Sequence, residues 1–270
     1  MVVTERLELI NNHPFDETDA EKVAWITGAS SGIGRSLAIL LALDGWTVAI
    51  SARNTLELEV LAKSLETKIH AFPLDVTDED ATEITARDIE TRLGPISLAV
   101  FGAGTYRRDS LSAFNAAMIR DMVGLNIMGT VNCMQAIMPA MTARRSGRIA
   151  VMASVAGYTG LPGAAGYGAT KAALINMCEA LYPELERQGV QMTLINPGFV
   201  DTPLTRQNDF PMPFLISSEK AAEHILRGLE RGQFEIAFPW RMKVAMKLLK
   251  ALPPSLRFAL TRRMLRHDQT

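Results

Sequence analysis

Much that would assign this 270-residue chain to a common class is missing from it. Cysteine occurs only as Cys133 and Cys178, both inside apolar helix-like runs and without zinc-ligand spacing. That usage suits buried thiols in a reducing, cytoplasmic compartment better than a disulfide framework. Histidine is limited to His13, His70, His224 and His267, too scattered for a metal-ligand motif. No net charge of either sign stands out: 28 Lys and Arg face 29 Asp and Glu, which argues against a general nucleic-acid binder. No charge-free apolar stretch reaches the ~18 residues a membrane span needs. Residues 1–22 contain acids and no apolar core, so no secretory signal is expected.

The chain does have short β-type runs alternating with longer helical patterns. Strands are predicted near 23–27, 47–51, 69–73, 97–101, 148–153, 191–196 and 234–238. Helices are predicted over 34–43, 56–65, 113–144 (as two helices) and 169–187. Such alternation predicts an α/β doubly wound parallel sheet with crossover helices on both faces. No repeat, low-complexity tract or long linker divides it, so 22–240 reads as one domain. Residues 1–21 read as an extension and 241–270 as an appendage.

The first predicted strand runs into TGASSGIG, residues 27–34, which opens into a helix. Gly28 permits a tight turn, Gly32 lets a pyrophosphate approach the backbone, and Gly34 lets helix and strand pack closely. The helix start offers free N–H groups and a positive dipole end. Its spacing, G-x-x-x-G-x-G, matches the general dinucleotide fingerprint only loosely; its place between strand and helix carries the argument. The second strand ends in ISARN, residues 50–54. An acidic residue there would hold an unmodified ribose. Ala52 cannot, while the Arg53 guanidinium suits a 2′-phosphate, so NADP is expected over NAD.

Tyr167 and Lys171 stand four apart and share a helix face. A tyrosine with a pKa of about 10 is a poor base at neutral pH. A neighbouring ammonium is expected to lower that value and make Tyr167 a usable acid/base. Ser154 falls at the end of the fifth strand, where ligands gather in open parallel sheets.

With TGASSGIG, the Asp75–Val76 pair, Asn126 in GLNIMGT, Ser154, Tyr167/Lys171 and NPGFVDT at 196–202, the chain resembles the short-chain dehydrogenase/reductase family over roughly 22–240. The resemblance implies a Rossmann-type sheet of about seven strands, a homodimer or homotetramer, and hydride transfer between nicotinamide and a carbonyl or alcohol carbon. It implies that Tyr167 protonates the carbonyl oxygen and Ser154 hydrogen-bonds it. Lys171 would hold the nicotinamide ribose, and Asn126 a water leading from Lys171 to solvent. Cofactor contacts are implied for Gly28, Ser30, Ser31, Gly32, Ile33, Gly34, Arg53, Asp75, Val76, Gly102, Ala103 and Gly104. They are implied too for Tyr167, Lys171, Pro197, Gly198, Val200 and Thr202.

Two departures accompany the resemblance. FGAG at 101–104 replaces the family's Asn-Asn-Ala-Gly, so Gly102 lacks an amide that bridges neighbouring strands. Pro183 sits inside the helix of Tyr167, where it is expected to introduce a kink and disturb the family's usual dimer interface. The short, apolar lid at 204–217 suggests an apolar substrate, with Met212, Phe214, Tyr106, Tyr158 and Leu161 as candidate pocket residues. The appendage 241–270 carries +7 against −8 for the rest of the chain. Lys243, Lys247 and Lys250 line one helical face, with Met242, Met246, Leu249 and Leu252 on the other. It suits docking on the protein's own body or a second subunit, peripheral contact with an anionic membrane, or an acidic carrier protein. The function expected is an NADP(H)-dependent oxidoreductase of apolar small-molecule carbonyls and alcohols. Alternatives are a carrier-bound ketoacyl reductase and a non-catalytic NADP sensor.

Overall fold

Runs rich in Val, Ile and Ala become strands that are buried on both sides, as a parallel sheet covered by helices requires. A computed structural model describes residues 22–65, 68–112 and 114–265; the expected extension at 1–21, His13 and His267 lie outside the described residues. The strands are β1 Val23–Thr27, β2 Thr47–Ser51, β3 Ile69–Ala71, β4 Ile96–Phe101, β5 Arg148–Met152, β6 Gln191–Pro197 and β7 Glu235–Phe238. They form a sheet ordered β3-β2-β1-β4-β5-β6-β7, with every neighbouring pair parallel. β3 stops short of the expected 69–73; Pro73 has no N–H to add to the ladder.

The helices are α1 Gly32–Leu43, α2 Thr55–Ser64, α3 Glu79–Leu93, α4 Ala116–Val123, α5 Gly129–Arg144, α6 Ala165–Arg187, α7 Ser218–Glu230, α8 Trp240–Ala251 and α9 Pro254–Arg262. Residues alternate along β1 between two cores. Val23 and Trp25 pack with Ile89 of α3, Ile137 of α5 and Leu174 of α6, while Ala24 and Ile26 pack with Leu37 of α1, Leu58 of α2 and Ile225 of α7. Both thiols lie in the first core, and burial pushes them up, Cys178 to about 12. They are therefore inert at neutral pH.

Strand order reverses between β1 and β4, so the carboxyl ends of these neighbours open a crevice where ligands bind in such sheets. Two local features shape that end. The expected helical region from 113 to 144 is joined through a π turn at Gly124–Met128, linking α4 directly to α5. The helix of Tyr167 starts earlier than expected, at Ala165, and stays one helix through Pro183 to Arg187.

Part of the basic appendage docks on the body. Met242 and Met246 of α8 are buried against Val155 and Tyr158, with Leu249 beside them. Glu235 of β7 accepts from Lys247 at 2.6 Å and pairs with Lys243 at 3.0 Å. The expected lysine face is thus divided, two of its members turning to a carboxylate of the body. Among the described residues no helix is long and apolar enough to cross a membrane, and no His, Cys, Asp and Glu group could hold a metal ion.

Candidate active site

A cleft runs along the carboxyl end of the sheet in two connected parts. The larger, of about 340 Å³, is lined by Gly28, Ser30, Ser31, Gly32, Ile33 and Gly34, by Arg53, Asp75 and Val76, and by Gly102, Ala103, Gly104 and Thr202. The smaller, of about 110 Å³, is lined by Ser154, Tyr167, Lys171, Pro197, Gly198 and Val200, and shares Ile33, Gly102, Gly104, Met152, Thr202 and Leu204 with the first. Every predicted cofactor residue therefore borders this cleft. Of the four predicted catalytic residues, Asn126 alone is missing from its lining.

The glycines meet the demands of the turn. Gly28 has φ +71°, and a Cβ there would lie 2.7 Å from the backbone of Gly102 and Ala103. At Gly34 a Cβ would lie 2.5 Å from the Gly28 carbonyl oxygen, so only glycine allows the helix to start this close to the strand. Ser31 makes no side-chain cap at the start of α1, which leaves first-turn N–H groups available at the cleft. This cradle fits a pyrophosphate.

Gly102 is accommodated without the family's amide. Its N–H and that of Ala103 donate to the Thr27 hydroxyl at 3.2 and 3.4 Å, and this joins the ends of β1 and β4. A Cβ at 102 would lie 3.0 Å from the Thr27 carbonyl oxygen. Arg53 is exposed at the outer end of the cleft. Burial alone would raise the Asp75 pKa, but hydrogen bonds from Thr77 and the Arg53 charge prevail and lower it.

At the inner end, Tyr167 lies in the first turn of α6, with Lys171 one turn on. Lys171 is buried and donates from Nζ to the Met152 carbonyl oxygen at 2.8 Å. Burial holds its pKa down at about 8. The expected lowering of the Tyr167 pKa by Lys171 is not what this arrangement produces. Burial pushes Tyr167 up to about 12, against a hydrogen bond with Ser154 that acts to lower it, and Lys171 Nζ stands 5.7 Å from its ring centroid. The Ser154 hydroxyl also accepts from the Ala156 N–H and donates to the Pro197 carbonyl oxygen at 3.3 Å.

Asn126 sits fully buried in the π turn. Its Oδ1 accepts from the Thr105 N–H at 2.7 Å, while Nδ2 donates to the Thr105 carbonyl oxygen and the Thr170 hydroxyl, both at 3.0 Å. Thr170 in turn donates to the Tyr167 carbonyl oxygen at 2.8 Å. The amide is thus committed to the loop after β4 and the first turns of α6.

Three contributors escaped the sequence reading. Asp109, buried, accepts from the Ala165 and Gly166 N–H groups at 3.0 and 2.7 Å and caps α6, whose own N-cap Ala164 offers no side chain for the purpose. Helix caps are usually sought within a few residues, and Asp109 is 56 positions away from Ala165. Thr105 and Thr170 likewise act through contacts with no local pattern. Tyr106 does border the site, its ring edge-on to Tyr167 at 5.1 Å. Other pocket expectations are corrected. Tyr158 turns away and donates to Glu235 at 2.7 Å, Leu161 packs with Val155 and Tyr158, and Phe214 faces solvent beside Arg241. Met212 accepts weakly from Asn208 at 3.5 Å and lines neither part of the cleft.

Comparison with known proteins agrees with this fold. The family of short chain dehydrogenases matches residues 22–211. A protein of Myxococcus xanthus described as an uncharacterized oxidoreductase is 36% identical over 90% of this chain and 97% of its own. A 3-oxoacyl acyl-carrier-protein reductase of Staphylococcus aureus is 34% identical over 68% of this chain and 76% of its own. The crystal structure of a short-chain dehydrogenase from Streptomyces avermitilis superposes with a TM-score of 0.77 at 26% identity, covering 90% of this chain and 96% of that one. The chain belongs to the short-chain dehydrogenase/reductase family, and it is an NAD(P)-binding oxidoreductase.

Proposed function

We propose that the protein is an NADP(H)-preferring reductase of carbonyl groups on apolar small molecules, running as an alcohol dehydrogenase in reverse. The observation that carries this reading is the convergence of Ser154, Tyr167 and Lys171 on the inner end of a cleft whose outer end holds Arg53. The Gly28–Gly34 cradle and the first turn of α1 hold the pyrophosphate, Arg53 the 2′-phosphate, and Asp75 and Val76 border the adenine. Lys171 would bind the nicotinamide ribose, while Pro197, Gly198, Val200 and Thr202 would frame the nicotinamide amide and the pyrophosphate. The bound cofactor supplies or accepts the hydride.

Tyr167 donates the proton that the carbonyl oxygen needs as it becomes an alkoxide, and Ser154 orients that oxygen by hydrogen bonding. Because burial keeps Tyr167 protonated, it is ready as an acid across neutral pH. Asn126 is a positioning residue that acts through Thr105 and Thr170. The edge of Tyr106 against Tyr167 gives the substrate side an aromatic wall.

Tyr167→Phe tests the chemistry. It is expected to lower NADPH oxidation across a panel of ketones and aldehydes by at least about 100-fold while NADPH binding persists. Surviving activity would remove Tyr167 as the acid, and absence of turnover in the wild type over that panel would favour the sensor reading. The similarity to a carrier-linked reductase supports a second reading, in which the substrate is an acyl chain on a carrier. Turnover of a carrier-bound ketoacyl substrate far above its free analogue would select it.

A further inference from the structure

Among the described residues, eight of the seventeen exposed large apolar side chains fall within residues 240–265. On α8 the inward positions Met242 and Met246 are occupied by Val155 and Tyr158. The outward positions Trp240, Val244 and Leu248 follow i, i+4, i+8 and are 68%, 44% and 63% exposed. On α9, Leu256 and Leu260 have the same spacing and are 55% and 45% exposed, with Phe258 exposed beside them, and Met264 and Leu265 in the turn that follows are exposed as well. Residues spaced in this way form a stripe along one side of a helix. Each helix therefore shows solvent an apolar stripe of its own, where a soluble surface would show polar groups.

The charge around these stripes is of one sign. Residues 236–267 contain no Asp or Glu. Lys243 and Lys247 are engaged by Glu235, which leaves Arg241, Lys250, Arg257, Arg262 and Arg263 without an ion pair among the described residues. The Arg241 guanidinium rests 5.6 Å from the Trp240 ring and 5.9 Å from Phe214, which joins the exposed lid residues Phe214 and Leu215 to the same surface.

We propose that α8 and α9 seat the protein on an anionic lipid surface, with the apolar stripes entering the acyl boundary and the basic groups meeting lipid phosphates. A second copy of the chain fits less well, because a two-fold self-contact would press these arginines onto one another. An acidic protein would answer the charge but not the apolar stripes of both helices. A bilayer answers both. The rest of the chain, at −8, is repelled by the same surface, so the field also orients the protein with its tail inward. Docking α8 on β7 through Glu235 makes this a fixed face of the folded domain.

The test is co-sedimentation of the full chain with phosphatidylcholine vesicles with and without phosphatidylglycerol. Pelleting is expected only with the anionic vesicles, and it should weaken at high salt. Leu248→Glu/Phe258→Glu should lower the partition coefficient by about tenfold or more. An unchanged melting temperature of that variant confirms that it folds; Arg257→Gln/Arg262→Gln/Arg263→Gln gives an independent, charge-only check. No pelleting of the wild type, or equal pelleting of all variants, overturns the proposal. So does self-association without vesicle binding, which would identify a second copy, or retention of an acidic carrier protein without vesicle binding. Because the readout is binding, the outcome is separate from the reductase reading.

Discussion

Lys171 donates from Nζ to the main-chain oxygen of Met152 at 2.8 Å, which ties α6 to the end of β5 beside Tyr167. The ammonium is buried, and burial holds its pKa at about 8, below the ordinary 10.5. Between those values the unfolded chain binds a proton that the folded protein does not. Stability of the ligand-free protein therefore gains from this group as pH rises from about 8 to about 10. Lys171→Met should flatten that rise and stabilise the protein at about pH 7 by about 1–2 kcal/mol, net of the lost hydrogen bond. Thermal melts of both proteins across pH check it; no gain at neutral pH refutes the account. Tyr167, raised to about 12, acts in the opposite sense, favouring the folded state less as pH climbs above about 10.

Arg53→Asp replaces an exposed cation at the outer end of the cleft with an acid. Loss of a charge-assisted contact to the 2′-phosphate should raise KM for NADPH by about tenfold or more. The new carboxylate should favour NADH by accepting from its ribose hydroxyls. Steady-state kinetics with both cofactors decide, and an unchanged preference removes Arg53 from the phosphate site.

Asp109→Ala leaves the Ala165 and Gly166 N–H groups without their acceptor and removes a negative charge from the start of α6. A stability loss of about 2 kcal/mol is expected. Because Tyr167 is in that first turn, kcat should fall more than KM changes. Asp109→Asn, which keeps one acceptor, should fall between the two. Denaturant unfolding read beside turnover tests this, and intact kcat in the alanine variant would show that the cap does not position Tyr167.

Glu235 gathers Tyr158, Lys243 and Lys247 between the body and α8. Burial alone would raise its pKa, but hydrogen bonds from Lys247, Tyr158 and Lys243 hold it at about 2. The stability it contributes is complete above its ordinary 4.5 and is lost as pH falls toward about 2. Glu235→Gln should cost about 1–2 kcal/mol at neutral pH, given that both lysines are partly in solvent, and little at about pH 2. Melting curves at both pH values distinguish this from a cost that persists in acid, which would point to packing alone.

The doubly wound sheet was legible because each strand is a short apolar run and each helix has its own periodicity. The glycine turn, Arg53, Ser154, Tyr167 and Lys171 were legible for a similar reason: their spacing within one stretch puts them at a strand end or on a helix face. Less legible were Asp109, Thr105 and Thr170, whose partners are distant in the chain, and Tyr158, whose hydroxyl turns to Glu235 and not to the cleft.

By itself, then, the sequence determined the order of elements, the glycine turn and the side chains that meet at the cleft. These follow from local periodicity, backbone freedom and side-chain chemistry. Only the tertiary structure decided how those groups are tuned. Burial, absent from any single residue, sets Tyr167 high and Lys171 low, against the simple expectation that the cation would lower its neighbour. The same holds for the basic tail. Its composition left the partner open, and packing of Met242 and Met246 on the body assigned one face of α8 inward and left Trp240, Val244 and Leu248 outside.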